Sequence, residues 1–210
     1  VYSFVYGDPG DDPIGTSRVN ITKLGGEIAY FKKGGQIAEA KLDYEGALKA
    51  AKEALKQQGI SSFRESYYVI GDNLCTINFS ALAQPGSGLL SEDVTDVVCY
   101  PDLIKVTIEL AEGGMMEYDA SGYLMNHRER ELAPPALSAE EAAENLSPLL
   151  TVQGSSLALI PTPGLDEVLC YEFRCTAEDG SQVLAYLNAE NGLEEQLYLL
   201  QTDDHGVLVV

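Results

Sequence analysis

The chain repeats itself, and that limits what it can fold into more than any other feature. Asp43 opens one amphipathic helix and Ser138 opens another, and a Leu-Cys strand follows each at the same distance, Leu74-Cys75 and Leu169-Cys170. Further on, Val106-Thr-Ile-Glu-Leu-Ala-Glu-Gly-Gly114 aligns with Leu184-Ala-Tyr-Leu-Asn-Ala-Glu-Asn-Gly192, each an alternating strand running into a glycine turn. Val19-Asn-Ile-Thr-Lys-Leu-Gly-Gly26 is a looser third version. Repeated units build surfaces more readily than they enclose one reaction centre, which favours a binding module over an enzyme.

Each unit reads as one helix followed by four strands. Asp43 is an N-cap, Tyr44, Ala47, Leu48, Ala51 and Leu55 share a helical face, and Gly59 sits where a C-terminal glycine belongs. Phe63 to Ile70 and Leu74 to Phe79 form a hairpin across Gly71-Asp-Asn73, and Ile104 to Leu110 and Met115 to Leu124 complete the unit. In the next unit Ser138-Ala-Glu-Glu141 is a capping box, Leu137 is placed to staple it, and Pro148 stops the helix. Four strands follow, Val152 to Ile160, Glu167 to Thr176, Gln182 to Leu187 and Leu193 to Leu200, with Asp179-Gly180 and Asn191-Gly192 as turns. The first 33 residues hold three strands: Val1 to Tyr6, Arg18 to Lys23 and Glu27 to Phe31.

The expected fold class is therefore α+β, in tandem repeats of one helix packed on a four-stranded antiparallel sheet whose other face is wet. The expected boundaries are 1–36 for the closing strands of a truncated first repeat, 37–132 for a second and 133–210 for a third. Residues 80–101 have no counterpart in the last repeat and read as a loop insertion, a candidate contact region. The paired prolines of Glu131-Leu-Ala-Pro-Pro-Ala-Leu137 make a stiff linker. Val1 to Tyr6 reads as a strand from an incomplete repeat and no Met precedes it, so the chain is expected to be a fragment with any membrane anchor upstream.

Charge narrows the choice of partner. The net charge is -20, yet residues 1–58 hold eight Lys or Arg against eight Asp or Glu, so the whole excess lies beyond Gly59, and no lysine follows Lys105. Such a surface repels phosphate backbones, which sets nucleic acid aside and favours a basic protein or a cationic polymer. No apolar run reaches the roughly 18 residues that a membrane span requires, and no signal-peptide pattern is present.

Chemistry-bearing motifs are sparse. Four cysteines without a Cys-x-x-Cys or a histidine at ligand spacing make neither a zinc site nor a disulfide scaffold. Cys75 and Cys170 fall at matching repeat positions, as small core residues would, and Cys170 and Cys175 are expected on opposite faces of one strand. The acid pairs Asp11-Asp12, Glu140-Glu141, Glu194-Glu195 and Asp203-Asp204 are sequence neighbours, which on a strand point apart rather than toward each other as glycoside hydrolysis needs. The Asp8 to Asp12 loop and the Asp203-Asp-His205 run lack the ligand order of a calcium loop, and Gly34-Gly35 and Gly86-Ser-Gly88 lack that of a phosphate loop. His127 and His205 have no recognisable nucleophile partner, and His127 reads as a hydrogen-bonded residue at a strand exit. No catalytic, cofactor-binding or metal-binding residue is expected. Tyr123, Asn126, His127, Arg128 and Arg130 form a positive island in an acidic half and are the candidate partner-binding residues. The competing reading pairs Arg128 and Arg130 with the local Glu129 and Glu131.

Particular words carry a resemblance: Tyr100-Pro-Asp-Leu-Ile-Lys-Val106, Gly122-Tyr-Leu-Met-Asn-His-Arg-Glu-Arg-Glu-Leu132, Leu157-Ala-Leu-Ile-Pro-Thr-Pro-Gly164 and Val168-Leu-Cys-Tyr-Glu-Phe173. With them the chain resembles the carboxy-terminal region of the YpeB germination-protein family of spore-forming bacteria, which is built of PepSY repeats. The resemblance implies a non-catalytic protein without cofactors, on the extracytoplasmic side of the inner spore membrane and anchored by an upstream segment. It also implies a partner, a spore cortex-lytic hydrolase or another cell-wall hydrolase, which is stabilised or restrained. The alternatives are a propeptide-like inhibitor of a secreted peptidase and an acidic cell-wall glycoside hydrolase.

Overall fold

The computed structural model describes residues 1–7, 15–83, 96–164, 166–203 and 205–209. The Asp8 to Asp12 loop, Gly86-Ser-Gly88 with most of the 80–101 insertion, and Asp204 lie outside the described residues. In chain order the elements are β1 (Tyr2–Tyr6), β2 (Ser17–Ile21), β3 (Ile28–Lys32), α1 (Tyr44–Gln57), β4 (Phe63–Gly71), β5 (Leu74–Leu82), β6 (Val97–Glu109) and β7 (Met115–Asp119). Then come α2 (Ser121–Asn126), α3 (Ala139–Ala143), β8 (Leu150–Pro161), β9 (Glu167–Ala177), β10 (Gln182–Asn188), β11 (Glu194–Asp203) and β12 (Gly206–Val209). The architecture is mixed α+β, mostly sheet with few helices. Two compact units divide it, residues 1–80 with 102–127 and residues 81–101 with 128–210.

In the first unit the strand order is β1-β2-β3-β7-β6-β5-β4. The Asp43 carboxylate accepts from the Gly46 backbone N–H and starts α1, whose Ala47, Leu48, Ala51 and Leu55 are buried. They pack on Cys75, Ile77 and Phe79 of β5, Ile104, Val106 and Ile108 of β6 and Tyr118 of β7. Alternation puts these on one sheet face, and each fully buried aliphatic or aromatic side chain contributes about 1.5–3 kcal/mol. The β6–β7 turn is organised by Glu109, whose carboxylate accepts from the N–H groups of Ala111, Glu112 and Gly114. Those donors hold its carboxyl below the usual carboxylate range. Strand pairing carries the helix-side face outward along one row, Val106, Tyr118, Phe31, Val19 and Phe4. The row begins buried under α1 and ends with Phe4 56% exposed.

In the second unit the order is β12-β11-β10-β9-β8, and Val97–Cys99 at the start of β6 run parallel to β8. The capping box forms as the sequence specifies: Ser138 Oγ accepts from the Glu141 N–H and the Glu141 carboxylate accepts from the Ser138 N–H. The helix it starts, α3, has five residues and buries Ala142 against Phe173, Cys175, Val183, Ala185 and Leu187. Gly192 brings the β10–β11 turn against the end of this helix. Its φ is +73°, and a Cβ there would lie 2.5 Å from Asn145 Nδ2 and 3.2 Å from Leu137 Cδ1. Gly192→Ala is expected to cost about 1–2 kcal/mol, seen as a lower thermal midpoint. An unchanged midpoint would show that this contact is slack.

The structure corrects five expectations. The strand placed over Met115 to Leu124 ends at Asp119, because the Asp119 carboxylate accepts from the Ser121 N–H and turns the chain into α2. The 80–101 insertion is narrower than read: β5 runs to Leu82, β6 begins at Val97, and the Ala83 N–H donates to the Val97 carbonyl across the gap. The second unit's sheet does not leave its other face wet, since Cys170, Glu172, Leu184 and Tyr186 are buried on the side opposite α3.

The repeat register also departs from the sequence alignment, at two places. The Leu42 N–H donates to the Leu110 carbonyl and the Leu110 N–H to Asn73, while the Leu137 N–H donates to Ala189 and the Ala189 N–H to Leu169. These bonds pair Leu110 with Ala189 and Gly113 with Gly192, one residue away from the sequence alignment, and a one-residue slip exchanges the two faces of a strand. They also pair Cys75 with Tyr171 rather than with Cys170. Cys75 belongs to the core under α1, whereas Cys170 faces away from Phe173 and Cys175.

All four cysteines are buried thiols. Burial pushes the Cys75 thiol up to about 11 and that of Cys170 up to about 12, and raises Cys175 as well. No thiol is therefore expected to react with a disulfide reagent at pH 8 until the protein unfolds, when four equivalents should appear. A fast equivalent in the native protein would contradict this.

Candidate functional site

The candidate residues run from α2 into the linker, and each is fixed by a different device. Gly122 lets α2 approach β6, since a Cβ there would lie 2.9 Å from the Leu103 carbonyl oxygen. One turn on, the Asn126 amide donates to the Gly122 carbonyl. Tyr123 and His127, four apart on one helical face, stack with ring centroids 4.3 Å apart at 19°. His127 Nδ1 is 2.7 Å from Oδ2 of the fully buried Asp102. A carboxylate only accepts, so Nδ1 carries the proton and Nε2 is left to make a second bond. Burial first, and then the Asp102 charge, raise the Tyr123 phenol above its ordinary range. These residues belong to the first unit.

Arg128 and Arg130 belong to the second unit, where both reach Glu167 at the start of β9. Arg130 grips it in a fork, Nε to Oε2 at 2.9 Å and Nη2 to Oε1 at 2.8 Å, while Arg128 Nη2 reaches Oε2 at 3.1 Å. Their exposure separates them: the Arg130 side chain is 6% exposed, Glu167 14% and Arg128 66%. The Arg130 hydrogen bond is the main reason that the Glu167 carboxyl lies below its usual range, against the opposing effect of burial. Glu167, thirty-seven residues from Arg130, is a partner that the expected local pairing with Glu129 and Glu131 did not include.

A second buried carboxylate lies elsewhere in the same unit. Glu172 accepts from the hydroxyls of Tyr100 and Tyr186, and Arg174 Nε lies 3.9 Å from it. The rings of Tyr100 and Tyr186 meet edge to face at 6.0 Å. A carboxylate held by two phenols and an arginine is a satisfied structural group.

Chemically, the His127–Asp102 pair has the orienting half of a triad. Among the described residues no hydroxyl or thiol bonds Nε2, and no cluster of three or more His, Cys, Asp or Glu has the geometry to hold a metal. Glu140, Glu141, Glu194 and Glu195 are exposed. Sequence reading missed Asp102, Glu167 and Glu172, the anchors of these arrangements. Asp102 and Glu172 carried a signal, each being an acid between two apolar neighbours within a strand; Glu167, at a strand start, carried none.

These features define a class: a sheet-dominated α+β protein with helix-led antiparallel strands and buried acids satisfied by histidine, arginine and tyrosine. The chain belongs to the YpeB family, whose model, described as YpeB sporulation, PepSY1 and PepSY2 domains, matches residues 1–133. Sporulation protein YpeB of Halalkalibacterium halodurans is 33% identical over 201 residues, and that of Bacillus subtilis 28% over 201 residues. Each alignment covers 96% of this chain but 42% of the relative, so the chain spans less than half the length of the curated relatives it matches. The solved Bacillus megaterium YpeB C-terminal domain is similar in fold, with a TM-score of 0.78 at 26% identity over 96% of this chain and 83% of that one. No helix among the described residues is long and apolar enough to cross a membrane.

Proposed function

We propose that this chain is the non-catalytic binding region of a protein of sporulation and germination, and that its partner is a spore cortex-lytic hydrolase that it stabilises or restrains. The observation that carries this reading is its place in the YpeB family, whose curated members are named sporulation proteins. The non-catalytic part is supported by the site: His127 is stacked under Tyr123 and bonded to Asp102, and Glu172 is tied to two phenols.

In this proposal the chain comprises PepSY-like repeats, 1–36 as the end of one, 37–132 as a second and 133–210 as a third. The shared backbone bonds around Leu110 and Ala189 support it. So does the uncovered end of the Phe4 row, which a helix and strand in the rest of the longer protein would cover. The anchor, in this reading, also belongs to that remainder and holds the region on the extracytoplasmic side of the inner spore membrane. Contact falls on Tyr123, Asn126, His127, Arg128 and Arg130, with Arg128 as the exposed cation and Arg130 positioning Glu167 beneath it.

Co-purification with the cortex-lytic hydrolase of the same organism tests the proposal, together with incubation of the chain alone on cortex peptidoglycan. The expected result is a stable complex and no release of reducing ends. Release of reducing ends by the chain alone would establish the hydrolase alternative. Failure to retain the hydrolase, with inhibition of a purified secreted peptidase instead, would establish the propeptide-like one.

A further inference from the structure

On the helix side of the second unit the cover runs out before the sheet does. In the first unit α1 has fourteen residues, and all four strands beneath it, β4 to β7, contribute to its core. In the second, α3 has five, and the core under it takes side chains from β8, β9 and β10. Register shows what is left open. Val152 pairs with Cys175, Cys175 with Val183 and Val183 with Leu199, so the four share a face. The middle two are buried, while Val152 is 42% and Leu199 48% exposed. Leu197, opposite the buried Ala185, is 45% exposed on the same face. Two adjacent leucines on one strand, half in water beside a packed core, are apolar surface that lacks a cover.

Charge decides between the occupants. Residues 128–210 hold fifteen Asp or Glu against three arginines and no lysine. Glu140 and Glu144 are exposed at α3, and Asp203 is exposed on β11, on the same side as Leu197 and Leu199 by alternation. A second copy would bring the same carboxylates to the face, so like-charge repulsion opposes self-association. A helix with an apolar stripe and a basic flank meets both the leucines and the acids. α3 is nine residues shorter than α1, a difference of about 13 Å of helix.

We propose that this face, centred on Leu197 and Leu199, is a docking surface for a basic amphipathic helix of a partner protein, which lies beside α3 and completes the cover. It goes beyond the hydrolase partnership, because it names a surface and the chemistry of its occupant and is tested without the hydrolase.

The probe is a synthetic peptide of about five helical turns, with leucines on one face and lysines on the other, followed by fluorescence anisotropy at about 0.15 M salt. Its control has the same composition in scrambled order. The amphipathic peptide is expected to bind at least about tenfold tighter than the scrambled one. The Leu197→Ser/Leu199→Ser protein should lose about tenfold, while Val69→Ser, an exposed apolar residue of the first unit, changes nothing. Equal binding of both peptides, or unaltered binding by the double variant, would overturn the proposal. So would light scattering that finds a wild-type dimer which the double variant abolishes, since the occupant would then be a second copy.

Discussion

Arg130→Ala is expected to destabilise the second unit by about 3 kcal/mol, while Arg128→Ala shifts stability by less than about 0.5 kcal/mol. Both arginines touch the same carboxylate, yet only Arg130 is itself buried. Removing it strands Glu167 with a single exposed and screened partner, and an uncompensated, largely buried charge is what makes a broken ion pair costly. The pH dependence has a definite sign. Glu167 has its carboxyl lowered by Arg130, so the stabilisation is complete above the ordinary carboxylate range and is lost as pH falls through the depressed folded value. The wild type should lose stability through that acid window, and Arg130→Ala should lose less. With no tryptophan in the chain, urea unfolding is best followed by far-ultraviolet circular dichroism. Equal losses from the two substitutions would mean that exposure does not separate their roles.

A larger loss, about 4 kcal/mol, is expected from Phe79→Ala, set against less than about 1 kcal/mol from Leu199→Ala. Phe79 is fully buried beneath α1 and meets the Phe63 ring edge to face at 5.2 Å. Truncation there removes both transfer energy and ring contact, and leaves a cavity that a close-packed core fills only in part. Leu199 lies on the helix side of its own sheet too, but half in water, so its truncation leaves no closed cavity. The comparison measures how far each helix covers its sheet. A Leu199→Ala loss near that of Phe79→Ala would mean that the second unit's face is closed after all.

Periodicity and caps made the elements legible. The α1 face, both N-caps and the strands β1 to β11 came from apolar spacing and from Asp43 and Ser138, because local backbone chemistry decides where a helix starts, whereas β12, a fifth strand of the second unit, was not foreseen. Register was not legible. Leu74-Cys75 and Leu169-Cys170 are alike in sequence, but backbone bonds place them one residue out of step, and composition carries no trace of that slip. The turn into α2 was hidden because Tyr118 to Leu124 alternates well enough for a strand, whereas the Asp119 bond to the Ser121 N–H ends it. Among the candidate residues, the basic island was visible as charge in an acidic half. Its division into a buried arginine and an exposed one was not, since that depends on Glu167, distant in sequence.

The proposed binding of a cortex-lytic hydrolase through a surface that includes Arg128 is open to a direct test. The most direct measurement is a titration of that hydrolase onto the immobilised chain, wild type against Arg128→Glu, after far-ultraviolet circular dichroism has shown both to be folded. Saturable binding by the wild type and about tenfold weaker binding by Arg128→Glu are expected. Absence of saturable binding, or equal affinity of the two proteins, would contradict it.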